Sequence, residues 1–206
     1  MRALLLVAAL AGVASADDTS ENADGFTHKG QFELSVRGAF GMRALATYHD
    51  TDYCGDTDTS ASTGNAAVCV GRTPFTIDFE PAYGVGRAID AFVELRIVIE
   101  PDFGTTAAMD NGPHQFHVSP GARFYFSDAR RLRLFTTAQL VLDFSGYKKI
   151  DGSARGTDFG LRNMSGLWLD LTRDYGVYGF VGETATVVRW LGFEMEAGFG
   201  VQGRYK

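Results

Sequence analysis

The sequence predicts an all-β protein: an eight-stranded antiparallel transmembrane up-and-down β-barrel. Two observations predict this fold. Apolar and polar residues alternate with a period of two through eight segments, as in strands that have one apolar face. The connections between these segments alternate in length, as in membrane barrels that have short turns at one end and longer loops at the other.

The alternation assigns two faces to each predicted strand. In the first strand, apolar Phe32 and Leu34 alternate with charged Glu33. The seventh strand is the least regular, because Tyr178 and Phe180 fall opposite its aliphatic residues and both faces are apolar. The predicted strands cover residues 31–43, 74–87, 91–100, 116–126, 132–144, 159–171, 175–181 and 191–205.

The connections divide into two groups by length, and this places both termini at the end with the short turns. Long connections are expected at residues 44–72, 101–114, 145–158 and, somewhat shorter, at 184–189. Short connections are expected at residues 87–90, 127–131 and 172–174.

A soluble exported barrel or sandwich is the alternative fold, since it shows the same alternation with its apolar face turned inward. Several predicted strands have about ten residues or more, enough to cross a membrane at a tilt, whereas strands of soluble proteins have about five or six. Aromatic residues also gather near both strand ends, where a membrane barrel meets the lipid–water interfaces. These residues are Phe75, Phe103, Phe116, Phe144, Phe159 and Phe193 at one end and Phe32, Tyr83, Phe126 and Tyr205 at the other.

The last predicted strand resembles the terminal strand of bacterial outer-membrane barrels, whose closing aromatic residue is read by the barrel assembly machinery. Apolar or small residues recur at every second position up to Tyr205. Gly203 and the terminal Lys206 depart from that pattern. By pattern, essentially the whole mature chain resembles the small eight-stranded barrels of the OmpA and OmpX type. The resemblance implies an outer-membrane location among lipid and lipopolysaccharide, and it implies almost nothing about function.

The N-terminus is typical of a cleavable export signal. Arg2 precedes an apolar run at residues 3–13, and Ala-Ser-Ala follows at 14–16. The run is shorter than the roughly 20 residues of a spanning helix. We therefore expect a signal peptide at 1–16, a short N-terminal segment at 17–30 and the barrel at 31–206. The net charge of −6, without a basic cluster, argues against nucleic acid as a partner.

Two cysteines, Cys54 and Cys69, flank a polar stretch in the first long connection. Export favours a disulfide between them. The same region contains Asp50, Asp52, Asp56 and Asp58. Carboxylates can bind a hard cation, but these lack the spacing of a calcium loop. A solvated loop is therefore favoured, and neither a metal site nor a cofactor is predicted.

Charged residues on the polar faces predict an ionic lumen, because the interior of an eight-stranded barrel is filled by side chains. The chain has 15 arginines and four lysines. This bias suits enclosed networks with carboxylates, although codon usage can also produce it. A network of mutually paired charges is expected. Its predicted members are Glu33, Arg37, Glu80, Glu94, Arg96, Glu100, Arg123, Arg133, Asp143, Arg162, Asp170, Glu194, Glu196 and Arg204.

His117 and Ser119 are the sharpest catalytic candidates, because residues two apart on a strand share a face and could act as base and nucleophile. The pair looks like the His-x-Ser of outer-membrane lipid A deacylases. In that family the pair faces lipid, whereas here it is predicted to face the lumen, so a structural role is favoured. The carboxylate pairs Asp78–Glu80 and Glu194–Glu196 are likewise interpreted as ion-pair partners.

These patterns favour a structural or surface-interaction protein that acts through its exterior loops, a monomer with no reaction identified and no enzymatic activity expected. The first alternative is a narrow, porin-like conduit for a solute or ion. A lipid A-modifying hydrolase comes next, and a soluble binding barrel last.

Overall fold

A computed structural model describes residues 27–46, 69–99, 116–126, 131–144, 157–188 and 191–205. Within these ranges eight strands form one sheet, each pairing antiparallel with its neighbours in chain order, and β8 closes the barrel against β1. The predicted fold class is confirmed. The strands are β1 Phe32–Ala46, β2 Cys69–Gly84, β3 Ile89–Val98, β4 Phe116–Tyr125, β5 Leu132–Asp143, β6 Asp158–Asp170, β7 Tyr175–Thr186 and β8 Leu191–Tyr205.

The described ranges contain no helix with the length and apolar character needed to cross a membrane. One end of the barrel carries the short connections between β2 and β3, β4 and β5, and β6 and β7, and we call it the turn end. We call the opposite end the loop end.

The longest extensions beyond the predicted limits occur in β1, β2 and β7. β1 runs to Ala46 and β2 begins at Cys69, within the connection predicted at residues 44–72. β7 runs to Thr186, so the connection predicted at 184–189 was wrong at its start. Pairing of backbone groups requires no alternation of side chains, so the small and polar residues at the loop end concealed these extensions.

A β-bulge interrupts the pairing of β1 with β2. Ala39 pairs with Thr76, but Gly41 pairs with Thr73, so β2 has one residue more than β1 between these pairs. Pro74 lies inside the bulge, which accommodates a residue that has no backbone N–H to donate to the ladder.

The outward face of the barrel is apolar and exposed. Phe199 is 71% exposed, Leu161 61% and Met195 60%. A soluble monomer rarely exposes a continuous apolar surface of this kind, whereas a membrane barrel presents such a band to lipid. The inward face carries most of the buried charged residues.

Candidate functional site

Arg37 of β1 lies near the middle of the lumen and binds three carboxylates. Its Nε lies 2.9 Å from Asp78 Oδ2 and its Nη1 lies 2.8 Å from Glu80 Oε2, while Nη2 donates to Glu94. All four side chains are fully buried. A guanidinium presents several donors in one plane, which suits this number of acceptors.

Two further arginines complete this group of charges. Arg96 Nε lies 2.9 Å from Asp78 Oδ1, and Arg96 Nη2 lies 2.8 Å from Glu196 Oε2. Arg162 Nη1 lies 2.5 Å from Glu94 Oε1, and its Nη2 donates to Glu196. We call this group the central cluster. Its members are Arg37, Asp78, Glu80, Glu94, Arg96, Arg162 and Glu196.

A second group of charges lies nearer the turn end. Arg133 and Arg204 both donate to Asp170. Arg123 donates to Glu80 of the central cluster, and its Nη1 lies 3.6 Å from Asp90 Oδ2, so it connects the two groups. We call this second group the turn-end cluster. Its members are His28, Glu33, Asp90, Arg123, Arg133, Asp170 and Arg204.

His28 reaches the turn-end cluster through a tight turn that precedes β1. The N–H of Gln31 donates to the carbonyl of His28 at 3.0 Å, and the N–H of Gly30 donates to the carbonyl of Gly84 at 2.8 Å. Gly30 has φ of +77°, a conformation that glycine adopts without a Cβ penalty. A Cβ on Gly84 would lie 1.9 Å from the carbonyl oxygen of His28, so this close approach requires glycine. Two glycines thus place the ring inside the barrel.

The imidazole of His28 is fully buried among carboxylates. Its Nδ1 lies 2.9 Å from Glu33 Oε1 and 3.2 Å from Asp90 Oδ2, and its Nε2 lies 3.7 Å from Asp170 Oδ1. Burial lowers the pKa of His28, but the neighbouring carboxylates of Asp170, Asp90 and Glu33 outweigh burial and raise it from 6.5 to about 9.

One contact of His28 depends on its protonation state. Arg133 Nη2 lies 2.6 Å from His28 Nε2. Because a guanidinium can only donate, this contact belongs to the neutral ring with its proton on Nδ1. In the imidazolium form, Nε2 of His28 carries a proton and can no longer accept from Arg133. Arg133 then donates to Asp170, and the Nε2–H of His28 faces the same carboxylate. The surrounding negative charge favours the imidazolium form.

Aromatic rings fill the lumen beside the charges. Trp168 and Tyr178 stack with ring centroids 4.5 Å apart and planes inclined by 5°. The guanidinium carbon of Arg123 lies 4.7 Å from the Trp168 ring centroid, and that of Arg133 lies 4.4 Å from the Tyr125 centroid. Such cation–π contacts gain strength where water is excluded. The buried inward-facing aromatic residues are Phe92, Tyr125, Phe135, Trp168, Tyr178 and Phe180.

The charges of the two clusters balance when His28 is protonated. Six guanidinium groups and the His28 imidazolium face seven carboxylates within these described residues. A balanced and hydrogen-bonded set of charges is the arrangement in which buried ions are tolerated. Together with the aromatic rings, these buried side chains occupy the lumen.

The charges predicted on the inward faces lie in these clusters, with three exceptions. Asp143 lies near the loop end beside His117, Glu194 faces inward in register with Arg43, and Glu100 lies outside the described residues.

Three features of the lumen went unrecognised in the sequence. The sequence pattern predicts Asp90 in the connection at residues 87–90, whereas the structure places it in β3, and His28 lies outside every predicted strand. The aromatic residues carried a usable signal, because Trp168 falls on the same side of β6 as Arg162 and Asp170.

His117 and Ser119 both lie inside the barrel, and no hydrogen bond joins their side chains within the described residues. His117 Nε2 lies 3.4 Å from Asp143 Oδ1. The buried Oγ of Ser119 makes no hydrogen bond to any residue that the structure describes. A base must lie within hydrogen-bond reach of the nucleophile that it activates.

His28, Glu33 and Asp90 also bring possible metal-ligand atoms within 4.8 Å of one another. Arg123 and Arg133 already supply positive charge to this group, so we assign it to ion pairing. Cys54 and the four aspartates of the first long connection lie outside the described residues, as does the side chain of Cys69 at the start of β2.

No protein-family model matches the sequence, and no curated protein matches it. Among solved structures, the chain is similar to Neisserial surface protein A (NspA), with a TM-score of 0.58 and 12% identity over 86% of this chain and 100% of that one. It is also similar to the N-terminal β-barrel domain of OprF from Pseudomonas aeruginosa, with a TM-score of 0.55 and 14% identity over 86% and 98% of the two chains. The chain has the fold of the small outer-membrane β-barrels. At these identities the likeness concerns the fold alone.

Proposed function

We propose that the protein is a non-conducting barrel of the bacterial outer membrane that presents its loop-end segments at the cell surface. The observation that carries the proposal is the filled lumen, where the central cluster, the turn-end cluster and the aromatic rings pack across the barrel. A conduit needs a continuous polar path, whereas here the guanidinium groups are held by buried carboxylates.

The exterior supports the membrane location. Exposed aliphatic and aromatic side chains cover the outward faces of all eight strands. In water this surface would drive aggregation, whereas in a bilayer it matches the hydrocarbon chains of the lipid. Closure of the barrel leaves no strand edge with unpaired backbone groups in the membrane. Export through a signal peptide at residues 1–16 and a Cys54–Cys69 disulfide are parts of the same proposal.

A role in binding follows from which parts of the chain the barrel does not use for its own packing. The barrel uses its inward residues for its own packing, so contact with other molecules falls to the four loop-end segments, of which the three longer ones are residues 47–68, 100–115 and 145–156. The first of these carries several aspartates and the third two adjacent lysines, so they offer different charges to a partner.

Epitope insertion tests the proposed orientation. A tag inserted after residue 60 should be stained by antibody on intact cells, because this position belongs to a loop-end segment. The matched control carries the same tag after residue 128, in a turn-end connection, and should be stained only after the outer membrane is permeabilised. The reverse staining pattern would contradict the proposed topology.

A binding comparison tests the surface role. Cells that produce the full chain would be compared with cells whose variant has residues 47–68 replaced by a short Gly-Ser linker, on immobilised lipopolysaccharide and on a panel of surface polysaccharides and proteins. We expect the variant to lose a binding activity while its unboiled sample still migrates as a folded barrel. Equal binding by both to every surface would count against this role for the segment.

A further inference from the structure

Four neighbouring polar side chains interrupt the apolar outward face on β5, β6 and β7. They are Thr136, Asn163, Ser165 and Glu183, and we call them the lipid-facing polar patch. Thr136 pairs with Ser165 across β5 and β6, and Asn163 pairs with Glu183 across β6 and β7. Elsewhere on the described outward face, Arg72 near the loop end of β2 is the one polar residue among apolar residues, glycine and proline.

The patch lies at the middle of the apolar band. On the outward face of β6, Asn163 and Ser165 stand between Leu161 and Leu167, which are 61% and 52% exposed. Phe159, near the loop end of this face, is 41% exposed. Acyl chains at this depth carry no hydrogen-bonding group, and lipid headgroups lie near the strand ends. A polar partner at this depth must therefore belong to a protein.

Three of the side chains satisfy one another in part. Thr136 Oγ1 lies 2.9 Å from Ser165 Oγ, and Asn163 Nδ2 donates to Thr136 Oγ1 at 3.2 Å. Asn163 Nδ2 also donates to the carbonyl of Thr137 at 2.5 Å. Glu183 is exposed and makes no ion pair or hydrogen bond within the described residues. An unpartnered carboxyl group facing hydrocarbon is costly, and a second protein surface removes that cost.

We propose that this patch is the contact surface between two copies of the chain in the plane of the membrane. The chemistry favours a second copy, because amide and hydroxyl groups both donate and accept and a surface built from them complements itself. Two barrels inserted in the same direction are related by a two-fold axis along the membrane normal. With that axis beside β6, β6 faces β6 and β5 faces β7.

This arrangement gives Glu183 a donor. With β5 of one copy opposite β7 of the other, the hydroxyl of Thr136 lies on the side that faces the Glu183 carboxyl group of the second copy. Gly179 lies on the outward face of β7 and has no side chain that would hold a second barrel away. The space outside it is open, because a Cβ built there would have its nearest neighbour at 3.9 Å. Small residues at such contacts let backbones approach in membranes. The proposal departs from the monomer expected from the sequence.

Sedimentation equilibrium of the refolded full chain in density-matched detergent tests this interface. The test variant replaces the patch by apolar residues, Asn163→Leu, Ser165→Val and Glu183→Leu. The matched control changes three outward residues on the far side of the barrel, Val36→Leu, Phe79→Leu and Val93→Leu. Unboiled gel migration establishes that each protein has folded before its mass is measured.

We expect the wild type and the control to sediment as dimers, and the patch variant to dissociate with a dimerisation constant weakened by about tenfold or more, as expected from the loss of several hydrogen bonds in a membrane-like medium. A wild-type protein that sediments as a monomer at every concentration would overturn the proposal. So would a patch variant that dimerises as tightly as the control, because the interface would then lie elsewhere.

Discussion

The two ionic clusters of the lumen differ in how the chain supplies their charges. The central cluster takes every member from strand positions, where arginines and carboxylates recur at every second residue. The turn-end cluster depends on His28, which reaches the lumen from a turn outside the strands. The central cluster therefore follows from strand periodicity alone. The turn-end cluster also needs Gly30 and Gly84, which let the backbone at His28 pack closely against the end of β2. This comparison predicts that the two clusters respond differently to mutation and to pH.

The largest effect should come from the central cluster. Arg37→Met removes the donor that three carboxylates share and leaves them buried with less positive charge. We expect the free energy of unfolding to fall by about 3–5 kcal/mol, measured by urea denaturation in lipid vesicles. Arg173→Met, in an exposed turn, is the control and should change stability by less than about 0.5 kcal/mol. Similar losses of unfolding free energy for both variants would show that Arg37 does not bind the three buried carboxylates.

The outward face should respond to charge with a slightly smaller effect. Leu140 is 47% exposed and lies on the outward face of β5. Leu140→Arg should cost about 2–4 kcal/mol if this position faces the bilayer midplane. Leu140→Met is the apolar control and should cost little. A harmless arginine here would mean that this face meets water.

The turn-end cluster should be the pH-sensitive one. Because the pKa of His28 is raised from 6.5 to about 9, its stabilising contribution is complete below about pH 6.5 and is lost as pH rises through about 9. That difference amounts to about 3 kcal/mol at most. Unfolding free energies of the wild type and His28→Gln, measured between pH 6 and 10, should converge as pH rises. A difference that stays constant over this range would show that His28 is neutral throughout.

The smallest effect is expected near the loop end. Replacing both His117 and Ser119 with alanine should lower stability by about 1–3 kcal/mol through altered buried polar contacts. Lipid A should be unchanged, and mass spectrometry of lipid A from cells with no protein, wild type and the double variant checks this. If the wild type removes an acyl chain and the variant does not, His117 is the base and Ser119 the nucleophile.

The fold and most of the central cluster could be predicted because a strand has a fixed period of two. That period places Arg37, Glu94 and Arg162 on one face without any knowledge of their partners. Asp78 also fell on this face, and ion pairing was the favoured interpretation of its pair with Glu80. The partners themselves could not be predicted, since pairing depends on strand register and on long side chains that cross the lumen.

His28 could not be recognised, because a histidine in a short polar segment carries no periodic signal. Its position depends on the turn at Gly30 and on a backbone contact with Gly84, which is distant in sequence and comes close only in the folded barrel. The lipid-facing polar patch illustrates the opposite case. Its residues break the alternation visibly in the sequence, but their meaning depends on neighbours in adjacent strands.

The lumen is a packed ionic core, and planar-bilayer recording of the refolded wild-type protein tests this claim most directly. Preparations whose unboiled gel migration establishes a folded barrel would be added to the bilayer at pH 7, where His28 is charged and the two clusters are balanced. We predict a flat current record, without discrete conductance steps, over the full range of applied voltage. Reproducible single-channel steps from the folded wild-type protein would contradict the account and establish a conduit.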